Sequence, residues 1–179
     1  MSKLYTPEYI KQLQSLHNDR GRSKGFGGKV KKLGEFHNYI KLWNPSSLLD
    51  YGCGKGHILS YLKETYPTIR IDGYDPALPM FSKVPNTLYD CVFSNDVLEH
   101  IEPEMLPSVL THINHISVKY LWLRIDTAPA RKVLPDGRNA HLIQESQEWW
   151  TRKLEQYING KIIFNTLDSK GKLDVAIEK

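Results

Sequence analysis

Short apolar strands alternate with amphipathic helices between residues 46 and 126, and this alternation restricts the fold more than any other feature of the sequence. The predicted segments are strands at Leu48–Tyr51, Ile69–Asp75, Asp90–Ser94 and Tyr120–Asp126, with helices from about Lys55 to Tyr66 and from between Pro103 and Pro107 to Ile116. Such alternation is typical of a doubly wound, mostly parallel α/β sheet with helices on both faces. Ligands of such sheets bind beyond the carboxyl ends of the strands.

The flanking segments complete the prediction. They are helices at Pro7–His17, about Lys29–Trp43 and Gln147–Ile158, and an antiparallel C-terminal hairpin of Lys161–Thr166 and Lys172–Ile177. We expect residues 46–179 to form one ligand-binding domain. Residues 1–45 are expected to be a helical extension that closes over it as a lid, with a glycine-rich loop at 18–28 around Phe26.

A glycine-rich turn follows the first predicted strand. Glycines at 52, 54 and 56 let the backbone approach a ligand closely where a strand passes into a helix. The dinucleotide pattern needs a third glycine at 57, where this chain has His57, and the Walker A pattern needs Ser or Thr after Lys55. Asp75, 19 residues after Gly56, ends the next strand, where a carboxylate can bind a ribose diol.

Three motifs in register give the chain a resemblance to a known family. They are Asp50-x-Gly52-x-Gly54-x-Gly56, Gly73-Tyr74-Asp75-Pro76 and Ser94-Asn95-Asp96-Val97-Leu98-Glu99-His100-Ile101. In order and spacing they resemble the motifs of class I S-adenosylmethionine-dependent methyltransferases, over about residues 46–126. The segment 134–142 and the pair Trp149-Trp150 resemble a narrower group of small bacterial and phage methyltransferases.

The resemblance implies a Rossmann-like sheet, S-adenosyl-L-methionine as cofactor, and a set of binding residues. Tyr51, Gly52 and Gly54 would line the methionine end of the cofactor, and Asp50 would orient its amino group, directly or through water. Asp75 would bind the ribose hydroxyls. The remaining residues that it implies are Pro76 and Ala77 on the adenine, and Asn95, Asp96 and Val97 beside the sulfonium and adenine.

The chain departs from the family between its second and third predicted strands. Only residues 76–89 separate them, which is too few for the usual third strand and its helix. We therefore expect the sheet to lack or shorten the third strand, which leaves open which groups read the adenine edge.

The catalytic candidates follow the later strands. His141 is the first candidate for a general base, because the pKa of an unperturbed histidine lies near neutrality, and the alternative is that it positions the loop or the substrate. Asp96 and Asp126 are the other candidates, and Asp96 would either polarise an acceptor amine or order water at the cofactor. Loops as long as the one from 127 to 146 are often functional.

Four further residues are candidates for binding the methyl acceptor: Arg124, Arg138, Asn139 and Trp150. Arg138 and Asn139 suit an anionic or amide-bearing acceptor, or else cap the loop, and Trp150 either walls the pocket or packs in the core. We expect no metal site, since Glu99 and His100 fall where the family begins a helix.

Charge and composition leave three functions open. Nine Lys or Arg against three Asp or Glu lie in residues 1–45, within a chain of net charge +4. The first hypothesis is O- or N-methylation of a small molecule or sugar-like group. The alternatives are an RNA or DNA methyltransferase that uses the basic N-terminal segment, and a non-catalytic S-adenosylmethionine-binding module.

The sequence also predicts where the protein resides. It has no apolar segment of about 18 residues that would cross a membrane and no apolar signal core at its N-terminus. Its two cysteines, Cys53 and Cys91, suit a reducing compartment. We therefore expect a cytoplasmic protein without a membrane partner, and the oligomeric state stays open.

Overall fold

The fold is a single sheet with helices on both faces, taken from a computed structural model that describes residues 3–18 and 33–179. The described residues form five α-helices: α1 Pro7–Asn18, α2 Phe36–Trp43, α3 His57–Thr65, α4 Leu106–Ile116 and α5 Gln147–Tyr157. They form six strands: β1 Ser47–Tyr51, β2 Arg70–Tyr74, β3 Tyr89–Asn95, β4 Ser117–Asp126, β5 Lys161–Leu167 and β6 Lys172–Glu178. No helix in these ranges is both long and apolar enough to cross a membrane.

The strand order confirms the predicted α/β class. The sheet runs β2-β1-β3-β4-β6-β5. β1 to β4 are parallel, whereas β6 lies antiparallel between β4 and β5. The carboxyl ends of β1, β2, β3 and β4 therefore meet at one edge, as the crevice rule for such sheets requires.

The missing third strand is also confirmed. The segment 76–89 contains only a 3-10 turn at Pro79–Phe81 and then returns to β3. β2 is consequently the edge strand of the sheet.

Side chains along each buried strand point alternately to the two faces of the sheet, so the hydrophobic core has two parts, one on each face. Leu49 and Val92 pack with α4 and α5, whereas their neighbours Leu48 and Phe93 pack with α2 and α3. This period of two places successive side chains on opposite faces of a buried strand.

Two helices begin later than the sequence pattern predicts. α2 begins at Phe36 because residues 33–35 form a turn with Gly34 at φ 52°; the predicted start at Lys29 lies outside the described residues. α3 begins at His57, after Gly56 at φ 76°, because a left-handed residue cannot continue a right-handed helix.

The two N-terminal helices pack on opposite faces. Thr6, at the start of α1, donates from its backbone N–H and its hydroxyl to Glu102 at 2.9 and 2.6 Å, next to the functional edge. Phe36 of α2 stacks on Phe93 on the other face, with ring centroids 4.4 Å apart. The lid over the domain stays a prediction, and all but the first residue of its loop at 18–28 lies outside the described residues.

Candidate cofactor and acceptor site

A cavity of about 760 Å³ opens at the carboxyl ends of the parallel strands. The predicted site residues in its lining are Asp50, Gly52, Gly54, Asp75, Pro76, Asn95, Asp96, Val97, Asp126 and His141. Most of them lie at or just after the carboxyl ends of four parallel strands, so the topology brings them together.

The glycine-rich turn is held tightly against the sheet. The backbone N–H groups of Gly52 and Cys53 both donate to the Tyr74 carbonyl, at 2.7 and 3.0 Å. Gly52 has φ 89°, and a Cβ placed on it would lie 2.3 Å from a methyl of Val97. Only glycine fits this position, because both the backbone conformation and the space exclude a side chain.

Asp75 connects this turn to the end of β2. Its Oδ2 accepts from the Gly54 N–H at 3.0 Å, and its Oδ1 accepts from the Ala77 N–H at 2.9 Å. Each carboxylate oxygen has a second lone pair, so the fixed carboxylate retains acceptor capacity toward the cavity.

Asp50 is the buried acid of the cavity, with 2% of its surface exposed. Its Oδ2 has no hydrogen-bond partner among the described residues. Burial, and then the charge of Asp75, raises the pKa of Asp50 to about 8. An unpaired buried carboxyl is costly, and it marks a place where a bound cation would be stabilised.

Tyr51 and Ala77 lie just outside the cavity lining. Both are almost fully buried, and Tyr51 packs edge-on against Tyr74 with ring centroids 5.0 Å apart. In this structure they support the lining residues from behind.

A lysine that sequence reasoning missed joins two of the catalytic candidates. Lys172 Nζ lies 2.8 Å from Asp96 Oδ1 and 2.7 Å from Asp126 Oδ2. Burial works to lower the pKa of Lys172, but its hydrogen bonds to the two carboxylates outweigh burial and raise it. The pairing of β6 with β4 sets Lys172 opposite Asp126 in register, which no local pattern in the sequence indicates.

Two histidines and a glutamate meet beside this lysine. His141 lies at the end of its loop and faces His100, with ring centroids 4.7 Å apart. Glu99 is fully buried, and its Oε1 accepts from the Asp126 N–H at 3.0 Å. Burial, and then the charge of His141, lowers the pKa of His100 to about 4, whereas burial and the nearby Asp96 raise the pKa of Glu99 well above its usual value.

The structure does not place the four predicted acceptor-binding residues in the cavity lining. Arg124 is paired with Asp174 at 2.6 Å across β4 and β6, and Arg138 with Asp136 at 2.8 Å on the exposed loop. Each arginine therefore forms an ion pair within the fold and is not part of the cavity lining.

The other two of the four residues stabilise the fold around the site. Asn139 bonds both the N–H and the carbonyl of Ala130 and also accepts from the His141 N–H, so it closes the loop. Trp150 is fully buried in the core. Its neighbour Trp149 packs edge-on against it at 5.1 Å between ring centroids.

Other lining residues were not predicted from the sequence. Among them are Tyr5, Tyr9, Leu13 and His17 on or just before α1, and the basic residues Arg131, Lys132 and Lys170. The pattern of α1 predicts a buried face but does not show what that face covers. The basic residues stand in loops, where charge is common.

Comparison with known proteins identifies the family. A profile of the methyltransferase domain family matches residues 7–167, which is most of the chain. The chain belongs to this family. The predicted class I S-adenosylmethionine-dependent methyltransferase, with S-adenosyl-L-methionine as cofactor, is thereby confirmed.

Individual relatives of this methyltransferase domain are distant. Trans-aconitate 2-methyltransferase of Escherichia coli (strain S88) is 31% identical over 65 residues, which cover 36% of this chain and 26% of that enzyme. The chain therefore matches only about a quarter of the length of this curated relative.

Two solved structures show the same fold at low identity. The 1,6-didemethyltoxoflavin-N1-methyltransferase of Burkholderia thailandensis aligns with a TM-score of 0.60 at 15% identity, over 100% of this chain and 92% of its own. An S-adenosylmethionine-dependent methyltransferase from Clostridium acetobutylicum aligns with a TM-score of 0.62 at 10% identity, over 80% of this chain and 88% of its own.

Proposed function

We propose that this protein transfers the methyl group of S-adenosyl-L-methionine to an oxygen or nitrogen atom of a small anionic molecule. The observation that carries the proposal is a single cavity with two chemically different walls. One wall is formed by the family motifs around Asp50 and Asp75, and the other by Asp126, His141 and Lys172. Its volume lies in the range of about 300–1,000 Å³ that is usual for small-molecule pockets.

The first wall suits the cofactor. The unpaired carboxyl of Asp50 would bind the cofactor's ammonium, and Asp75 would accept from the ribose hydroxyls with its remaining lone pairs. Gly52, Gly54, Pro76, Asn95 and Val97 would line this wall. When bound, S-adenosyl-L-methionine supplies an electrophilic methyl group on a positively charged sulfur.

The second wall suits an acceptor that must be aligned and must lose a proton. His141 Nδ1 lies 2.5 Å from the Ala128 carbonyl, which can only accept, so this nitrogen carries the hydrogen. The lone pair of the neutral ring is therefore on Nε2, where it can take a proton from an acceptor. Asp96 and Asp126 are both engaged by Lys172, at 2.8 and 2.7 Å, so we assign the role of base to His141.

The charge at the mouth of the cavity supports an anionic acceptor. Arg131 and Lys170 are exposed there, and Lys132 is half-buried beside them. A cluster of one sign raises the local concentration of an oppositely charged substrate. The curated relative, whose name specifies trans-aconitate, is compatible with such an acceptor.

The proposal is tested with S-adenosyl-L-methionine labelled in its methyl group. The purified protein is incubated with a cell lysate, which is then separated into small-molecule, nucleic-acid and protein fractions. We expect label in an anionic small-molecule fraction, and we expect Asp75→Ala to abolish it. The matched control is Asp72→Ala, because Asp72 lies in β2 three residues before Asp75, is half-exposed and is not in the cavity lining.

The other outcomes decide against the proposal. Label in RNA or DNA, lost in Asp75→Ala, would replace it with the nucleic-acid alternative. Binding of S-adenosylhomocysteine without label in any fraction would favour the non-catalytic binding module.

A further inference from the structure

Glu99, His100 and His141 form a compact group of metal-ligating side chains in the wall of the cavity. One ligand atom from each lies within 4.8 Å of the other two. Glu99 and His100 belong to the short 3-10 helix Leu98–His100 after β3, and His141 comes from the loop after β4. The sequence places the first two side by side, but only the fold brings the third to them.

Both imidazoles are oriented by backbone carbonyls. His100 Nδ1 lies 2.6 Å from the Ala140 carbonyl, and His141 Nδ1 lies 2.5 Å from the Ala128 carbonyl. A carbonyl cannot donate, so each Nδ1 carries the hydrogen and each neutral ring has its lone pair on Nε2. Metal-binding histidines are typically held in this way, with the second ring nitrogen donating to a carbonyl or carboxylate.

The carboxylate of the group has one oxygen without a partner. Glu99 is fully buried, and its Oε2 makes no hydrogen bond to any described residue, whereas Oε1 is engaged by the Asp126 N–H. An unsatisfied buried carboxylate oxygen is rare and costly. A cation at the group would satisfy it.

The surrounding charge matches a divalent ion. Asp96, Asp126 and Glu99 are three acids close together, and Lys172 is the cation bonded to the first two. A bound cation would favour the ionised form of Glu99, and the formal charge of the four groups would then be minus two.

We propose that Glu99, His100 and His141 bind one divalent transition-metal ion in the wall of the cavity. Two imidazole nitrogens and one carboxylate oxygen suit Zn²⁺, Mn²⁺ or Co²⁺, whereas Mg²⁺ and Ca²⁺ prefer oxygen ligands alone. Three protein ligands leave coordination positions open. Since His100 and His141 line the cavity, those positions face it and would take oxygen atoms of an acceptor.

The metal site changes the proton chemistry proposed for His141. Its Nε2 cannot bind the metal and act as a base at the same time. A bound divalent ion would lower the pKa of a coordinated acceptor hydroxyl, which would pass its proton to solvent water, and the resulting oxygen anion would accept the methyl group. The metal site does not depend on methyl transfer, so each proposal can fail alone.

Metal binding to the full chain tests the inference. Protein without an affinity tag is stripped of metal with a chelator and titrated by calorimetry with ZnCl2, MnCl2 and CoCl2. We expect one ion per chain for at least one of the three metals, and visible absorption bands when Co²⁺ binds. Each of Glu99→Gln, His100→Ala and His141→Ala should weaken binding at least about tenfold.

The matched control is His115→Ala, since His115 is exposed on α4 and outside the group. It should bind metal as the wild type does. Circular dichroism and affinity for S-adenosylhomocysteine establish that each variant is folded. The inference is overturned if the folded wild type binds none of the three ions, or if folded His141→Ala and His100→Ala bind them as tightly as wild type.

Discussion

At the scale of single residues, Asp50 is a strongly perturbed acid of the proposed cofactor wall. Burial in the first strand, together with the charge of Asp75, raises the pKa of its carboxyl to about 8. At pH 7 it is therefore mostly protonated before a ligand binds, and a ligand ammonium would favour its ionised form.

We expect S-adenosylhomocysteine to release close to one proton when it binds at pH 7. The reason is that its ammonium would lower the pKa of Asp50 below the pH of the solution. Calorimetric titration in buffers of different ionisation enthalpy measures the number of protons released. Asp50→Asn should release almost none, and equal release from both proteins would exclude Asp50 as the group that meets the ammonium.

The same carboxyl predicts a pH dependence of stability. Because its pKa is raised in the folded state, the native protein binds more protons than the unfolded chain between about pH 4 and pH 8. The contribution of Asp50 to stability is thus fully present below about pH 4 and is lost as pH rises toward 8. Urea denaturation at several pH values should show that the free energy of unfolding falls less steeply with rising pH in Asp50→Asn than in the wild type. Parallel curves for the two proteins would refute the raised pKa of Asp50.

At the scale of elements, the turn between β1 and α3 must approach the segment after β3. Gly52 combines a left-handed backbone with a Cβ position 2.3 Å from Val97. Gly137 has nearly the same backbone, with φ 87°, but nothing within 4 Å of its Cβ position. Substitution of Gly137 therefore tests backbone strain alone, whereas substitution of Gly52 tests strain and steric overlap together.

We expect Gly52→Ala to reduce the free energy of unfolding by about 3 kcal/mol or more, from strain and overpacking together. Gly137→Ala should cost only about 1 kcal/mol, since strain acts alone there. Urea denaturation measures both. Adding Val97→Ala to Gly52→Ala should recover part of the loss, and equal losses in the two single variants would contradict the steric argument.

The first helix is the other element with a testable role. α1 lies against the cavity through Tyr9, Leu13 and His17, and Thr6 ties its start to Glu102. If residues 1–45 act as a lid, a ligand beneath α1 should stabilise the closed form. We expect S-adenosylhomocysteine to slow trypsin cleavage at Arg20, Arg22 and Lys24, and an unchanged cleavage rate would count against the lid.

At the scale of the whole molecule, the antiparallel C-terminal strands complete both the sheet and the site. β6 inserts beside β4, and the half-buried pair of Arg124 and Asp174 joins these strands with two contacts of 2.6 Å. The same strand supplies Lys172 to the cavity. Stability and site geometry therefore depend on one strand pairing.

We expect Asp174→Asn to destabilise the protein by about 1–3 kcal/mol, because it leaves the Arg124 guanidinium half-buried without its carboxylate. Thermal and urea denaturation measure the loss. The control is Asp72→Asn, which should cost little because it removes the charge from a largely exposed ion pair with Arg70 at 3.6 Å and keeps an oxygen that accepts from the Tyr89 hydroxyl. Equal losses of stability in the two variants would show that the Arg124–Asp174 ion pair contributes no more to stability than an exposed ion pair does.

The sequence by itself determined the features that depend on local order. Glycines at 52, 54 and 56, the acid that ends β2, and the alternation of strands and helices are fixed by spacing along the chain, so they predicted the sheet, the family and the cofactor. The missing third strand followed from the shortness of 76–89 alone. The polar residues that directly follow a strand, such as Asp96, were found for the same reason.

Tertiary structure alone decided which side chains share the cavity. The sequence predicted that Arg124 and Arg138 bind the methyl acceptor. In the structure, strand pairing places Asp174 beside Arg124, and a turn places Asp136 beside Arg138, so each arginine forms an ion pair instead. Lys172 entered the site because β6 pairs with β4, and His141 reached Glu99 and His100 because a long loop folds back. A side chain's partners are set by distances in space, and the sequence fixes such distances only between residues of the same element.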